Sequence, residues 1–168
     1  MNIFYLHPIA PICASMHADK HVGKMLIETC QLLATAHHIH GNGHMVSYKP
    51  THVNHPSAVW ARSSKMHYRF LADLAKYLGV EFRKRYGHDH KSAEVLRTEL
   101  MQEPPALAAM PATWVTPPQC MPEELQSDNC VESYRKFYVT KQERMPLVYY
   151  KGERAQPYWF NYDQAEAA

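Results

Sequence analysis

Two long helical periods, one over residues 18–38 and one over 55–86, constrain this chain more than any other feature of it. In the first, Val22, Met25, Leu26, Thr29, Leu32, Leu33 and Ala36 recur every three or four positions and so share one side. A stripe of that width has to be covered, which predicts an amphipathic helix with this side in a core. In the second, Val59, Trp60, Met66, Phe70, Leu71, Leu74, Leu78 and Phe82 keep the same spacing. Arg62, Lys65, Arg69, Asp73 and Lys76 take its other side, and Gly87 supplies the stop.

The remaining segments are shorter. Residues 1–6 read as an apolar strand or an extended lead-in, broken by Pro8 and Pro11, and a proline in the first turn suits a helix start near Pro11. Gly41, Asn42 and Gly43 end the first long helix, and an irregular stretch over 44–54 follows. Asp89 or Ser92 can cap a third helix running to about Gln102. Prolines dominate 104–122, predicting an extended connection over the surface. A further helix fits 128–140 with Val131, Tyr134, Phe137 and Tyr138 turned inward. The end, 145–162, is aromatic and irregular or weakly β, and its run at 157–162 needs the core or a stacking ligand to cover it. The expected class is mainly α: a single compact helical domain over 1–168 with two long helices, a proline-rich connection and an aromatic irregular C-terminus. A chain of 168 residues suits one core.

Composition excludes some roles. No apolar run approaches the roughly 20 residues that cross a bilayer, and no basic start precedes a long apolar stretch, so the expectation is a cytoplasmic protein with no membrane partner. Cys13, Cys30, Cys120 and Cys130 form no C-x-x-C pair, which points to reduced thiols. The formal charge of +2 does not announce a nucleic-acid binder, but 12 histidines stand outside that count. Protonation would make one face more basic.

Three constellations could carry chemistry. Opposite the apolar side of the first helix, His17, His21, Lys24, Glu28, Gln31 and Thr35 step by three or four, predicting one surface with two imidazoles, an amine and a carboxylate. Lys20 lies four before Lys24; a lysine beside another cation has its neutral, nucleophilic amine favoured. Glu28 could act as acid, base or stabiliser of a cationic, sugar-like transition state. The plainer alternative is a solvated helix face with an ordinary Lys–Glu pair. The second constellation is Lys49, His52, Asn54 and His55 before Pro56, followed by Trp60 and Arg62. These polar groups crowd a helix start, where main-chain N–H groups suit an anion. There the alternative is that Asn54 or Thr51 merely caps the helix. A third is a metal site from His17 and His21, from His37, His38, His40 and His44, or from His52 and His55; no H-E-x-x-H is present, and surface histidines are the default. Basic and aromatic residues also interleave around Arg83–Tyr86 and Tyr134–Tyr138, where cations could meet phosphates and rings could stack on bases.

The segments Asp19-Lys20-His21-Val22-x-Lys24 with Glu28, Tyr48-Lys49-x-Thr51-His52-x-Asn54-His55-Pro56, Trp60-x-Arg62, Arg85-Tyr86-Gly87 and Pro117-Pro118-Gln119-x-Met121-Pro122 resemble a group of small phage and bacterial proteins over most of the chain. More remotely, the chain is similar in three places to the helical pyrimidine-dimer DNA glycosylases of the endonuclease V type. Their first helix carries Ala-Asp-x-His with a catalytic glutamate seven residues on, matched here by Ala18, Asp19, His21 and Glu28. The stretch from His55 to Gly87 resembles their long helix that ends in basic residues and glycine. Pro157 through Tyr162 resembles their aromatic C-terminus. The resemblance implies Glu28 as the catalytic carboxylate and the tail as a DNA contact. The chain departs from them at Asn2, where they carry the threonine whose α-amine is the nucleophile, and at Ile27, where an arginine precedes their glutamate. Lys24 or Lys20 then becomes the expected amine.

The resulting expectation is a DNA-acting enzyme, a base glycosylase with or without amine-based lyase activity, taking a modified or damaged base and requiring no cofactor. Glu28, Lys24, Lys20 and His21 would do the chemistry, while His17, Lys49, His52, Asn54, His55, Trp60 and Arg62 would hold DNA or nucleotide. The alternatives are a histidine-dependent metal phosphodiesterase or nucleotide hydrolase, and a non-catalytic phage-type protein that sequesters a host protein or nucleotide.

Overall fold

The computed structural model describes residues 1–161. It is mainly α, with seven α-helices and no strand among the described residues: α1 (Ala10–Ser15), α2 (Asp19–Ile39), α3 (Pro56–Ala61), α4 (Lys65–Tyr86), α5 (Lys91–Val95), α6 (Pro105–Ala108) and α7 (Cys130–Val139). α2 and α4 pack on each other and supply most of the core. All seven apolar-side residues predicted for α2 are buried, as are Leu71, Leu74 and Leu78 of α4. Gly79 serves a third helix. A Cβ there would come within 3.2 Å of the Ala93 Cβ, so the missing side chain lets α5 lie against α4. Gly87 ends α4 in the left-handed conformation, φ +76°, with its N–H bonded to the Arg83 carbonyl.

The predicted single helix over 55–86 is two helices. Ser64 is extended, its Oγ accepts from the Met66 N–H at 3.2 Å, and its hydroxyl donates to the Thr113 carbonyl at 2.6 Å. A serine offering a cap to the following turn and a tether to the proline-rich connection outcompetes one more turn of helix. With the helix broken at Ser64, Val59 and Met66 sit on the surface rather than in the core.

Two further expectations shift. The cap of α5 is His90, whose Nδ1 accepts from the Ser92 N–H at 3.1 Å, and not Asp89 or Ser92. Beyond α5 the chain widens into a π-helical turn, Leu96–Leu100, where the Tyr68 hydroxyl donates to the Leu100 carbonyl at 2.8 Å. Of the two alternatives for residues 1–6 the lead-in holds and the strand does not: they form a strap in which Ile3, Phe4, Tyr5 and Leu6 are buried, and Phe4 touches His21, Phe137 and Tyr138. The C-terminal aromatics Tyr149, Trp159 and Phe160 are covered by the core. Tyr162 of the predicted aromatic run lies outside the described residues.

A buried ionic cluster fixes the ends of α2 and α4. Arg85, with no exposed side-chain surface, donates to the His17 carbonyl at 2.6 Å, the Ser15 carbonyl at 3.0 Å, Asp19 Oδ1 at 3.2 Å and Glu81 Oε2 at 3.1 Å. Asp19 Oδ2 in turn accepts from the Tyr150 and Lys151 N–H groups, and Arg154 pairs with Glu81. Every charge removed from water here meets several partners, the condition under which burial of ions is tolerated. All four cysteines are free thiols. No helix among the described residues is long and apolar enough to cross a membrane.

Candidate active site

Glu28 lies on the part of α2 that the core does not cover. Its side chain is 20% exposed, with Oε1 3.8 Å from Nζ of Lys24, one turn back and 62% exposed. Oε2 accepts from the main-chain N–H of Asn2 at 3.3 Å. The strap is held there by its own side chain: Asn2 Nδ2 donates to the Cys120 carbonyl at 2.9 Å and Asn2 Oδ1 accepts from the Ile3 N–H at 2.8 Å. Two residues on, Phe4 adopts φ +48°, a conformation costly for a bulky side chain.

The second wall comes from the segment before α3. The Thr35 Oγ1 of α2 accepts from the Thr51 N–H at 3.1 Å, and Arg62 Nη1 donates to the Val53 carbonyl at 2.7 Å, so both ends of this segment are pinned. Between them His52 is forced to φ +49°, with its Nδ1 2.7 Å from the Thr51 hydroxyl. His55 caps α3 by accepting from the Ser57 N–H at 3.2 Å. Ser57 Oγ is 3.6 Å from Cys120 Sγ, which returns the chain to Asn2.

Electrostatics join these walls. His55 is held below the ordinary imidazole range by burial first, then by the positive charge at the chain's N-terminus and by His52, while Glu28 opposes the shift. Along α2 in the other direction, Lys141 lies 3.5 Å from the Phe137 ring centroid, and its amine is shifted down by burial, Arg144 and Lys24. Glu28 thus acts on the His55 imidazole on one side and pairs with Lys24 on the other, and Lys141, which Lys24 and Arg144 both act on, extends the cationic patch beyond Lys24. Such a surface suits a polyanion passing over Glu28.

The predicted residues divide accordingly. The structure brings together Glu28, Lys24, His52 and His55. Lys20, Lys49 and Asn54 are exposed. The single open stripe expected along α2 is corrected at both ends, because His17, His21 and Thr35 are buried. The strap and α7 cover the first two. His17 Nδ1 donates to the Cys13 carbonyl at 2.9 Å and its Nε2 has no partner, while His21 Nδ1 meets the Tyr138 hydroxyl at 2.8 Å. Burial pushes His17 down to about 3 and, with help from Lys24 and Lys141, His21 down to about 4, so both are neutral. Trp60 is a core residue, stacked on His67 at 4.3 Å with Nε1 donating to the Val115 carbonyl. Arg62 clamps the loop. Asn2, Ser57, Cys120 and Lys141 were not predicted; only the tertiary fold assembles them.

The histidine-rich helix end does not converge. His37 bonds the Tyr68 hydroxyl, His38 the Tyr48 carbonyl and His40 the Arg62 carbonyl. Among the described residues no group of three or more His, Cys, Asp or Glu side chains is placed to hold a metal ion. Comparison with protein-family models, curated proteins and solved structures gives no match.

Proposed function

We propose that the Glu28 surface is the active site of a DNA base glycosylase that acts on a modified or damaged base turned out of the duplex. The reading rests on one arrangement: a half-buried carboxylate between an amine at 3.8 Å and a main-chain nitrogen at 3.3 Å, with the His55 imidazole close enough to feel its charge. Lys24, Lys141, Arg144 and His52 supply contacts for phosphates, which carry most of the affinity for DNA. Glu28 stabilises positive charge at the sugar C1′ as the bond to the base breaks and its electron pair leaves with the base.

Where an amine takes part, its nitrogen forms the new bond to C1′ and its proton passes through Glu28 to the departing base. Opening of the sugar ring leaves a Schiff base that water hydrolyses, and no oxidant or reductant enters. Lys24 is the side-chain amine closest to hand. Lys20, four residues before Lys24 and exposed, is the second.

Borohydride trapping on duplexes carrying an abasic site, a thymine dimer, uracil or a hydroxymethylated pyrimidine tests this reading. A covalent adduct on one of them is expected, lost in Glu28→Gln and mapped by peptide mass spectrometry to Lys24 or Lys20. Base release without an adduct would retain the glycosylase and remove the amine step. Neither base release nor adduct on any duplex would overturn the proposal.

A further inference from the structure

A second concavity shares no residue with the Glu28 surface. It is a cleft of about 550 Å³ between α4 and the segment of α5 that runs into the π-helical turn. That volume falls in the range of small-molecule sites, roughly 300–1,000 Å³. Lys76, Gly79, Val80 and Arg83 face it from α4 at successive helical turns, and Ala93, Arg97 and Met101 face it from the other wall at four-residue steps. The absent side chain of Gly79 brings the walls together at the bottom, 3.2 Å being the distance from its ideal Cβ position to the Ala93 Cβ.

The lining is sorted by chemistry. Val80, Ala93, Leu96 and Met101 make an apolar floor, and Val80 is left 41% exposed on it. Lys76, Arg83, Lys91 and Arg97 stand at the rim against Asp89 and Glu94, four cations to two carboxylates. Arg83 and Asp89 pair at 3.5 Å across one end, which leaves the cationic surplus with Lys76, Lys91 and Arg97. The π-helical turn adds weight, because an interrupted helix costs regular hydrogen bonding and recurs where helices bind ligands.

We propose that this cleft binds a small amphipathic anion, with a phosphate or carboxylate at the rim and a flat or chain-like apolar body on the floor. Nucleoside monophosphates and medium-chain fatty acids share that chemistry. The site is independent of the reaction assigned to Glu28.

Two-dimensional amide NMR of the full chain, titrated separately with dTMP and with decanoate, tests it. Binding with a dissociation constant of about 1 mM or tighter is expected for one of them, moving the amides of Val80, Ala93 and Arg97. Response to dTMP alone assigns the cleft to nucleotides, and response to decanoate alone assigns it to acyl chains. The double variant Lys76→Glu, Arg97→Glu should weaken binding about tenfold or more, and Val80→Trp, which fills an already exposed position, should do the same. Glu28→Gln should bind unchanged, which separates this proposal from the glycosylase reading. Silence of the cleft amides at millimolar probe, shifts confined to the Glu28 surface, or equal binding by the rim variant would each overturn it.

Discussion

Arg85 and Asp19, 66 residues apart in sequence, meet at 3.2 Å with both side chains sealed from solvent, so the end of α4 and the start of α2 are one electrostatic unit. Truncating either partner leaves the other charge buried. Arg85→Met should therefore cost about 3–5 kcal/mol in urea denaturation. Arg85→Lys should be nearly as damaging, since one ammonium cannot reach the Ser15 and His17 carbonyls and both carboxylates together. A loss under about 1 kcal/mol for Arg85→Met would show that the cluster contributes little.

The buried histidines set an acid limit. His17 and His21 have folded pKa values of about 3 and about 4, below the ordinary 6.5, so the unfolded chain binds their protons first. Their stabilising contribution is full above about pH 6.5 and is lost as pH falls, down to about 4 for His21 and about 3 for His17. Between pH 6.5 and 4 His17 alone accounts for roughly 3 kcal/mol. Unfolding free energies measured at intervals from pH 7.5 to 4 should fall accordingly, and His17→Gln, which does not titrate, should flatten the curve.

Tyr138→Phe tests the joint beneath the strap. The hydroxyl accepts from the Ala18 N–H and meets His21, both at 2.8 Å, so its removal orphans a buried main-chain donor. A loss of about 1–3 kcal/mol is expected by thermal or urea unfolding.

Ser64→Ala removes the α4 cap and the tether to Thr113 in one step. About 1–2 kcal/mol should be lost. Limited proteolysis should then cut the proline-rich connection faster, because Ser64 is one of its anchors.

Glu28→Gln should separate activity from folding. Its pair with Lys24 is solvent-screened and the amide still accepts from Asn2, so stability should change by about 0.5 kcal/mol or less. Trapped adduct and base release should be lost in the same variant.

The helical class and the buried side of α2 were legible from periodicity, because a 3.6-residue repeat states its own geometry. The break at Ser64 was not: Ser63 and Ser64 are polar residues that a helix surface also accepts, and the tether that decides for an N-cap comes from Thr113, 49 residues on. The same holds for the site. Lys24 and Glu28 were readable as one turn of one helix, and His52 with His55 as a crowded helix start. Periodicity places His17 and His21 beside Lys24, and it carries no information about the strap and α7 that roof them. Asn2 and Cys120 have no local signature, since the contacts that recruit them, to Glu28, to Ser57 and to each other, join segments far apart in sequence.

The strap also dictates how the protein can be handled. Since Asn2 touches Glu28 and Ile3 to Leu6 are buried, any residues fused ahead of Met1 emerge at the rim of the candidate site rather than at a distance from it. An affinity tag left on that end would crowd Glu28, and a silent assay of that surface would then report on the tag.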